Sequence, residues 1–515
     1  MKHSPLSLHR LAAGLTLALA TLAASAAAAS DTQRVIVEFK PGQAAALRSA
    51  LAGFGAKVKL EIIGEDAVAV EVPKKALAAL GKHAAVARVS EDAIRVPYGT
   101  VAAGPYLPGQ TVPYGITMVQ ADQLSDANTA NRKVCIIDSG YDLAHEDLNG
   151  NDVTGEYDSG TGWWYTDENH HGTHVAGTIA AINNTGVGVV GVNPNKHLKL
   201  HIVKVFGADG WAYSSTLANA AKKCQAAGAN IISMSLGGTV LNPLEQKTFQ
   251  NLYNAGILPI AAAGNAGTTA ISYPAGYSSV VSIAAIDSNK QWAAFSQYNK
   301  DVELAAPGVG VLSTVPMGQG SASTLSVGDT TYAPGAMDGS PKLSVSAPLA
   351  HFGLGDVVDT SVAGKVCLIA RGTIPFATKV ANCEASGGVG AIVYNNVAGS
   401  FGGTLGGAVS AIPSVTASDT EGAQLETQLG MTANIAVTPT NYAYFDGTSM
   451  ATPHAAAVAA LVWSYFPTCT NDQIRLSLQK SALDLGDAGR DVKYGFGLIQ
   501  AKAAYTRIQK KGCGK

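Results

Sequence analysis

The sequence predicts an α/β fold: a parallel sheet with helices on both faces, preceded by a small α+β unit and interrupted by an inserted β-rich domain. Three observations predict it. Between residues 133 and 263, apolar runs of strand length alternate with helix-length segments. That rhythm builds parallel sheets covered on both sides. The alternation stops near residue 317, where short β-like runs and Gly-rich loops take over, and it resumes at Tyr442. Residues 34–96 repeat a smaller βαββαβ-like order. The 515 residues suffice for two to four domains, and 47% apolar against 14% charged residues argues against disorder. A net charge of −2 leaves no electrostatic footprint for nucleic acid.

Residues 1–29 read as an export signal. Lys2, His3, His9 and Arg10 form a basic start, residues 11–24 are apolar, and Ala24-Ser25-Ala26 lies in a small-residue stretch. The apolar stretch is too short to span a bilayer, and no later segment has ~18 uninterrupted apolar residues. The mature protein is therefore expected to be secreted, extracellular and free of membrane spans. Residues 30–111 form the small unit and its linker: strand 34–39, helix 44–51, strand 67–72, helix 73–80, strand 86–96, then a Pro- and Gly-rich run.

The main block opens at residue 112 and runs to 316. Its elements are strand 133–137, helix 174–182, strand 200–205, helix 214–227, strand 230–236, helix 244–255 and strand 258–263. The insert spans 317–440, with strand-like runs at 366–370 and 391–394 and a helix at 377–386. Residues 441–515 complete the main block. Six cysteines suit an oxidising compartment. Cys367 is near Cys383, Cys469 and Cys513 flank the C-terminal segment, and Cys135 is left with Cys224. Other connectivities, or free thiols, stay open at this point.

Three segments carry chemistry. Asp138 directly follows the buried run Val134-Cys135-Ile136-Ile137, where a carboxylate is costly without a partner. His170-His171-Gly172-Thr173-His174 opens a helix. Its histidines suggest metal, but no third ligand is evident, and His171 is the better general base. Gly447-Thr448-Ser449-Met450-Ala451-Thr452-Pro453-His454 precedes an Ala-rich helix, with Ser449 at the N-terminus, where amides favour developing negative charge. Pro453 is expected in the first turn, where proline is tolerated. Each segment alone also fits ordinary turn or cap chemistry. Together they supply a nucleophile, a base and an orienting carboxylate in the order Asp, His, Ser.

With these motifs the chain resembles the subtilisin-like serine protease family from about residue 112 to 504. Val112-Pro113-Tyr114-Gly115, Asp138-Ser139-Gly140, His171-Gly172-Thr173-His174-Val175-Ala176-Gly177 and Gly447-Thr448-Ser449-Met450-Ala451-Thr452-Pro453 carry the resemblance. It implies a serine endopeptidase acting on proteins and peptides, with Asp138, His171 and Ser449 as triad. Ala262-Ala263-Gly264-Asn265 implies Asn265 as oxyanion donor, with Ala262, Ala263 and Gly264 lining the primary specificity pocket. Ser235, Leu236, Gly237 and Gly238 match the substrate-pairing strand. Ala266 follows Asn265, and no acid lies there, so a neutral pocket for large apolar or aromatic residues is expected.

The resemblance further implies a structural calcium ion. Its oxygen ligands would come from Gln110, Asp147 and Asn184 and from the carbonyls of Ile182, Val187 and Val189. The N-terminal unit resembles the family's inhibitor-like propeptide, an intramolecular inhibitor cut off between about residues 96 and 111. The insert resembles a protease-associated domain, on the strength of Gly364-Lys365-Val366-Cys367-Leu368-Ile369-Ala370-Arg371-Gly372 and Gly387-Gly388-Val389-Gly390-Ala391-Ile392-Val393-Tyr394. The mature enzyme is expected to be a monomer. Two rivals fit the same scaffold: an inactive secreted protein-binding module and an exopeptidase.

Overall fold

The computed structural model describes residues 31–61, 66–91 and 110–513, apart from positions 159, 185, 208–211, 336, 400 and 406–407. The export signal and nearly all of the linker lie outside the described residues. No described helix is long and apolar enough to cross a membrane.

The chain divides into two units. In the first, four antiparallel strands run in the order Lys57–Glu61, Ala67–Pro73, Thr32–Phe39, Val86–Glu91. Val35, Val37, Val70 and Val72 are buried with Leu47 and Leu51 of the helix Ala44–Gly53. The strand Lys57–Glu61 is the member of the βαββαβ-like order to which the sequence reading assigned no residues. The expected second helix is only a 3₁₀ turn, Lys74–Ala76, followed by the single turn Leu77–Leu80.

The second unit is built on a seven-stranded parallel sheet. Its order is Val302–Pro307, Val281–Ile286, Leu258–Ala262, Ile231–Met234, Lys133–Asp138, Lys199–Lys204, Asp152–Gly155. Both faces are covered, and the strand Lys133–Asp138 shows how. Val134 and Ile136 join the core containing the helices His171–Ala180 and Thr448–Tyr465. Cys135 and Ile137 join the opposite core with residues of the helices Ser214–Ala226 and Pro243–Asn254. This is the period-2 partition of a strand buried on both sides. The disulfide Cys135–Cys224 ties that strand to the helix Ser214–Ala226. Cys367–Cys383 and Cys469–Cys513 complete the pairing the spacing suggested.

The helix Thr448–Tyr465 is buried almost all round. Its small residues let it lie close to the sheet, and a helix apolar on every side has its place inside. The insert forms a mixed seven-stranded sheet with its own two cores. It leaves and returns through the antiparallel strands Val311–Thr314 and Tyr442–Phe445. These strands are fastened to the helix His171–Ala180. Ser313 Oγ donates to His174 O (2.8 Å) and Thr314 Oγ1 to Thr173 O (2.8 Å).

Candidate active site

The chain runs from Lys133–Asp138 to two strands on one side of it, then crosses to Ile231–Met234 on the other side. A crevice beyond the carboxyl ends at such a reversal is where open α/β sheets bind ligands. Asp138 ends one of these strands, and Ser235 directly follows the other. His171 and Ser449 stand in the first turns of their helices, and His171 begins its helix three residues earlier than the sequence suggested.

Asp138 is fully buried, and its Oδ1 lies 2.8 Å from His171 Nδ1. The same oxygen accepts the Ser139 amide (2.8 Å), and Oδ2 is buried without a hydrogen bond. Burial works against a charged His171, but the charge and hydrogen bond of Asp138, with Asp167 behind, outweigh it. The imidazole is held above its ordinary value.

Ser449 is half-buried, and its Oγ donates to Ser235 O (3.0 Å) rather than to His171. The expected nucleophile–base hydrogen bond is therefore not formed in this conformation. Ser235 Oγ in turn donates to Ser449 O (2.7 Å). Pro453 explains why that carbonyl is free. It sits in the second turn, not the first, and has no N–H for the carbonyl four residues back. Ser235 supplies the missing donor and thereby joins the edge Ser235–Gly238 to the serine.

Gly447, not Thr448 or Ser449, caps this helix, with φ 154°. A side chain on Gly447 would start 3.3 Å from Asn265 Nδ2 and 3.5 Å from Ser449 N. Two donors thus flank space that only a glycine leaves open. Asn265 Oδ1 accepts both Thr448 N (2.9 Å) and Thr448 Oγ1 (2.7 Å), which fixes the amide with its NH₂ free. Ala262 and Ala263 are 4% and 2% exposed, so from this segment it is Gly264 and Asn265 that reach the surface.

Two of the other motif histidines, His174 and His454, are structural. His174 stacks on Phe445 and lies 2.9 Å from Val311 O, and burial pulls it down to about 3. His454 fills the space left by Gly115, and burial pulls it down to about 4. Asp167 went unread in the sequence. It is buried and accepts from Ser139 Oγ (2.8 Å), His170 N (2.9 Å), Thr173 N (2.8 Å) and Thr173 Oγ1 (2.6 Å). It locks the start of the His171 helix to the residue after Asp138. An acid just ahead of a helix start was its only sequence signal.

The six expected calcium ligands meet in one place. Gln110 Nε2 has four oxygens around it: Ile182 O (2.9 Å), Asn184 Oδ1 (3.0 Å), Val187 O (2.7 Å) and Val189 O (3.2 Å). A primary amide has two hydrogens, so the cradle offers more acceptors than its occupant can use. Asp147 is fully buried beside it, accepting from Asn184 Nδ2 (2.9 Å) and Val189 N (2.7 Å), and burial pushes its carboxyl up. One acid among neutral oxygens fits a hard cation. Among the described residues, no group of three or more His, Cys, Asp or Glu offers a different metal site.

Comparison with known proteins agrees with this geometry. The model of the "Subtilase family" matches residues 129–352 and 382–497, and that of the "PA domain" matches residues 329–425. Subtilisin E of Bacillus subtilis (strain 168) is 36% identical over 314 residues, which cover 59% of this chain and 79% of that protein. Subtilisin DY of Bacillus licheniformis is 42% identical over 214 residues, 40% of this chain and 76% of that protein. The crystal structure of a psychrophilic subtilisin-like protease from the Antarctic psychrotroph Pseudoalteromonas sp. AS-11 matches with a TM-score of 0.63 at 41% identity. That match covers 79% of this chain and all of the other. With about two thirds of its length matched by the family model and its Asp, His and Ser at the carboxyl end of the sheet, the chain belongs to the subtilase family and is a serine peptidase.

Proposed function

We propose that this protein is a secreted serine endopeptidase, made as a precursor whose N-terminal unit is an inhibitory propeptide removed by its own activity. The observation that carries the catalytic reading is the buried Asp138 paired with His171, whose ring lines one cavity with Ser235, the residue that Ser449 Oγ hydrogen-bonds, while two free donors flank the start of the Ser449 helix. Ser449 Oγ turns from Ser235 O to His171 Nε2, loses its proton to that nitrogen and attacks the peptide carbonyl. Asp138 holds the imidazolium that forms. Asn265 Nδ2 and Ser449 N–H receive the oxyanion. His171 returns the proton to the leaving amine, and water then cleaves the acyl-enzyme by the same steps.

The substrate backbone adds as a strand along Ser235, Leu236, Gly237 and Gly238. Gly237 lets this segment lie close to its neighbours, since a side chain would start 2.4 Å from Ser272 Oγ and 3.1 Å from Tyr273 O. The primary pocket beside Gly264 takes a large apolar or aromatic residue. Digestion of an intact unfolded protein, read by mass spectrometry of the products, tests the endopeptidase reading: internal cuts after such residues are expected. Stepwise loss from one end would overturn it. The mature enzyme acts as a monomer outside the cell, and N-terminal sequencing of the secreted form is expected to start between about residues 96 and 111.

Asn265→Ala is expected to lower kcat by roughly 10²–10³ with little change in KM, a magnitude known from subtilisin itself and carried over from it. An unchanged kcat would remove Asn265 from the oxyanion role. The cation held by Gln110, Asp147, Asn184 and the carbonyls of Ile182, Val187 and Val189 is calcium, in a structural role. At a calcium concentration near 100 Kd, binding to the folded state alone is worth about 2.7 kcal/mol. A chelator is therefore expected to lower the melting temperature by roughly 3–5 °C, followed by circular dichroism. An identical melting curve would refute the site.

A further inference from the structure

A cavity of about 570 Å³ runs beside the edge Ser235–Gly238, with His171 at its margin. Its walls are largely apolar, including Val205, Phe206, Leu217, Leu236 and Val240. One carboxyl breaks this pattern. Glu245 lines the cavity and is 3% exposed.

Its position in the helix Pro243–Asn254 is the third residue, behind the cap Asn242. A glutamate there ordinarily turns back to accept the N–H of the cap residue. Here the Tyr277 hydroxyl accepts that N–H instead, at 3.1 Å, and donates to Glu245 Oε2 at 2.7 Å. The capping role is filled by another group, and the carboxyl faces the cavity. Among the described residues, Glu245 Oε1 has no hydrogen-bond partner, and no lysine or arginine lines the cavity. Burial pushes the carboxyl up, with the Tyr277 hydrogen bond pulling part of the way back. A largely buried carboxylate with one oxygen open to an apolar-walled cavity favours a cation entering that cavity.

We propose that Glu245 determines substrate specificity by receiving the cationic tip of a substrate lysine or arginine, two to four residues before the scissile bond. The apolar walls take the methylenes of that side chain, which carries charge only at its end. A guanidinium or ammonium beside Oε1 satisfies the open acceptor by a charge-assisted hydrogen bond. A purely apolar side chain leaves it unmet. The proposal rests on reading the chain as an endopeptidase whose substrate pairs with Ser235–Gly238.

The test is a set of peptides with one cleavage site, in which each of these three positions is in turn Arg, Lys, Leu or Ala. The readout is the ratio of kcat/KM for Arg to that for Leu within each enzyme, so that overall activity cancels. For the unsubstituted enzyme the ratio is expected to reach at least about 10 at one position, the size of a single hydrogen bond to a charged group. Glu245→Gln is expected to bring it near 1, and Glu245→Leu to invert it. A preference for Leu at all three positions, or a ratio that survives both substitutions, overturns the proposal. Cleavage of the Ala peptides separates the two readings. If the enzyme cuts them without a cation preference, only the role of Glu245 fails. If it cuts none and Ser449 takes no fluorophosphonate label, the endopeptidase reading fails with it.

Discussion

Ser449→Ala is expected to abolish peptide hydrolysis, with a fall in kcat of roughly 10⁶, the size known for loss of the nucleophile in subtilisin itself and carried over from it. Structural cost is small by comparison. The serine hydroxyl makes one hydrogen bond, to Ser235 O, and the Ser449 carbonyl that Ser235 Oγ needs remains in the variant. The measurement is fluorophosphonate labelling of the secreted protein, with mass spectrometry of the tryptic peptides. Label on Ser449, absent from the variant, establishes an activated nucleophile. No label on folded protein that has lost its N-terminal unit would mean that Oγ does not reach His171, and would favour an inactive binding protein on this scaffold.

Asp138→Asn is expected to cost roughly 10⁴ in kcat, by analogy with the same change in another serine protease triad. Oδ1 holds His171 Nδ1 at 2.8 Å and fixes which imidazole nitrogen carries the proton. An amide in its place carries no charge, and it can present an N–H where an acceptor is required. The pH profile distinguishes this role from mere packing. Burial alone would push His171 down, and the charge of Asp138, its hydrogen bond and the more distant Asp167 hold it up. Catalysis needs the neutral imidazole, so activity is lost as pH falls through the His171 value. Removing the Asp138 charge lowers that value, and the acid limb of kcat/KM is expected to move to lower pH. A limb that stays in place with kcat within about tenfold of the unsubstituted enzyme would show that Asp138 is not the partner of His171 in the working enzyme.

Much of the fold was legible because its signals are local. Apolar strand runs such as Val134–Ile137 need only their own periodicity to be read, and the helix Pro243–Asn254 announces itself with Asn242 and Pro243. The strands Val281–Ile286 and Val302–Pro307 were not assigned, and the helix Leu77–Leu80 came out far shorter than its pattern. Short apolar runs look alike whether they end as strand or helix, and only their neighbours decide.

The site divides along the same line. Asp138, His171 and Ser449 each stand in a motif whose residue types and order together point to acyl transfer, and Asn265 follows from the family resemblance those motifs carry, so the chemistry and the family were legible in the sequence. Which groups act on them was decided in three dimensions. Asp167 reaches Ser139 and Thr173 across turns. Ser235 repairs the carbonyl that Pro453 leaves open, from a segment 214 residues away. Glu245 has the sequence signature of an ordinary helix-start acid, yet Tyr277 takes the cap N–H it would have bound, and its carboxyl lines a cavity instead. A motif fixes what a side chain can do; burial, hydrogen-bond competition and the supply of donors from distant segments decide what it is left to do, and those exist only once the chain has closed on itself.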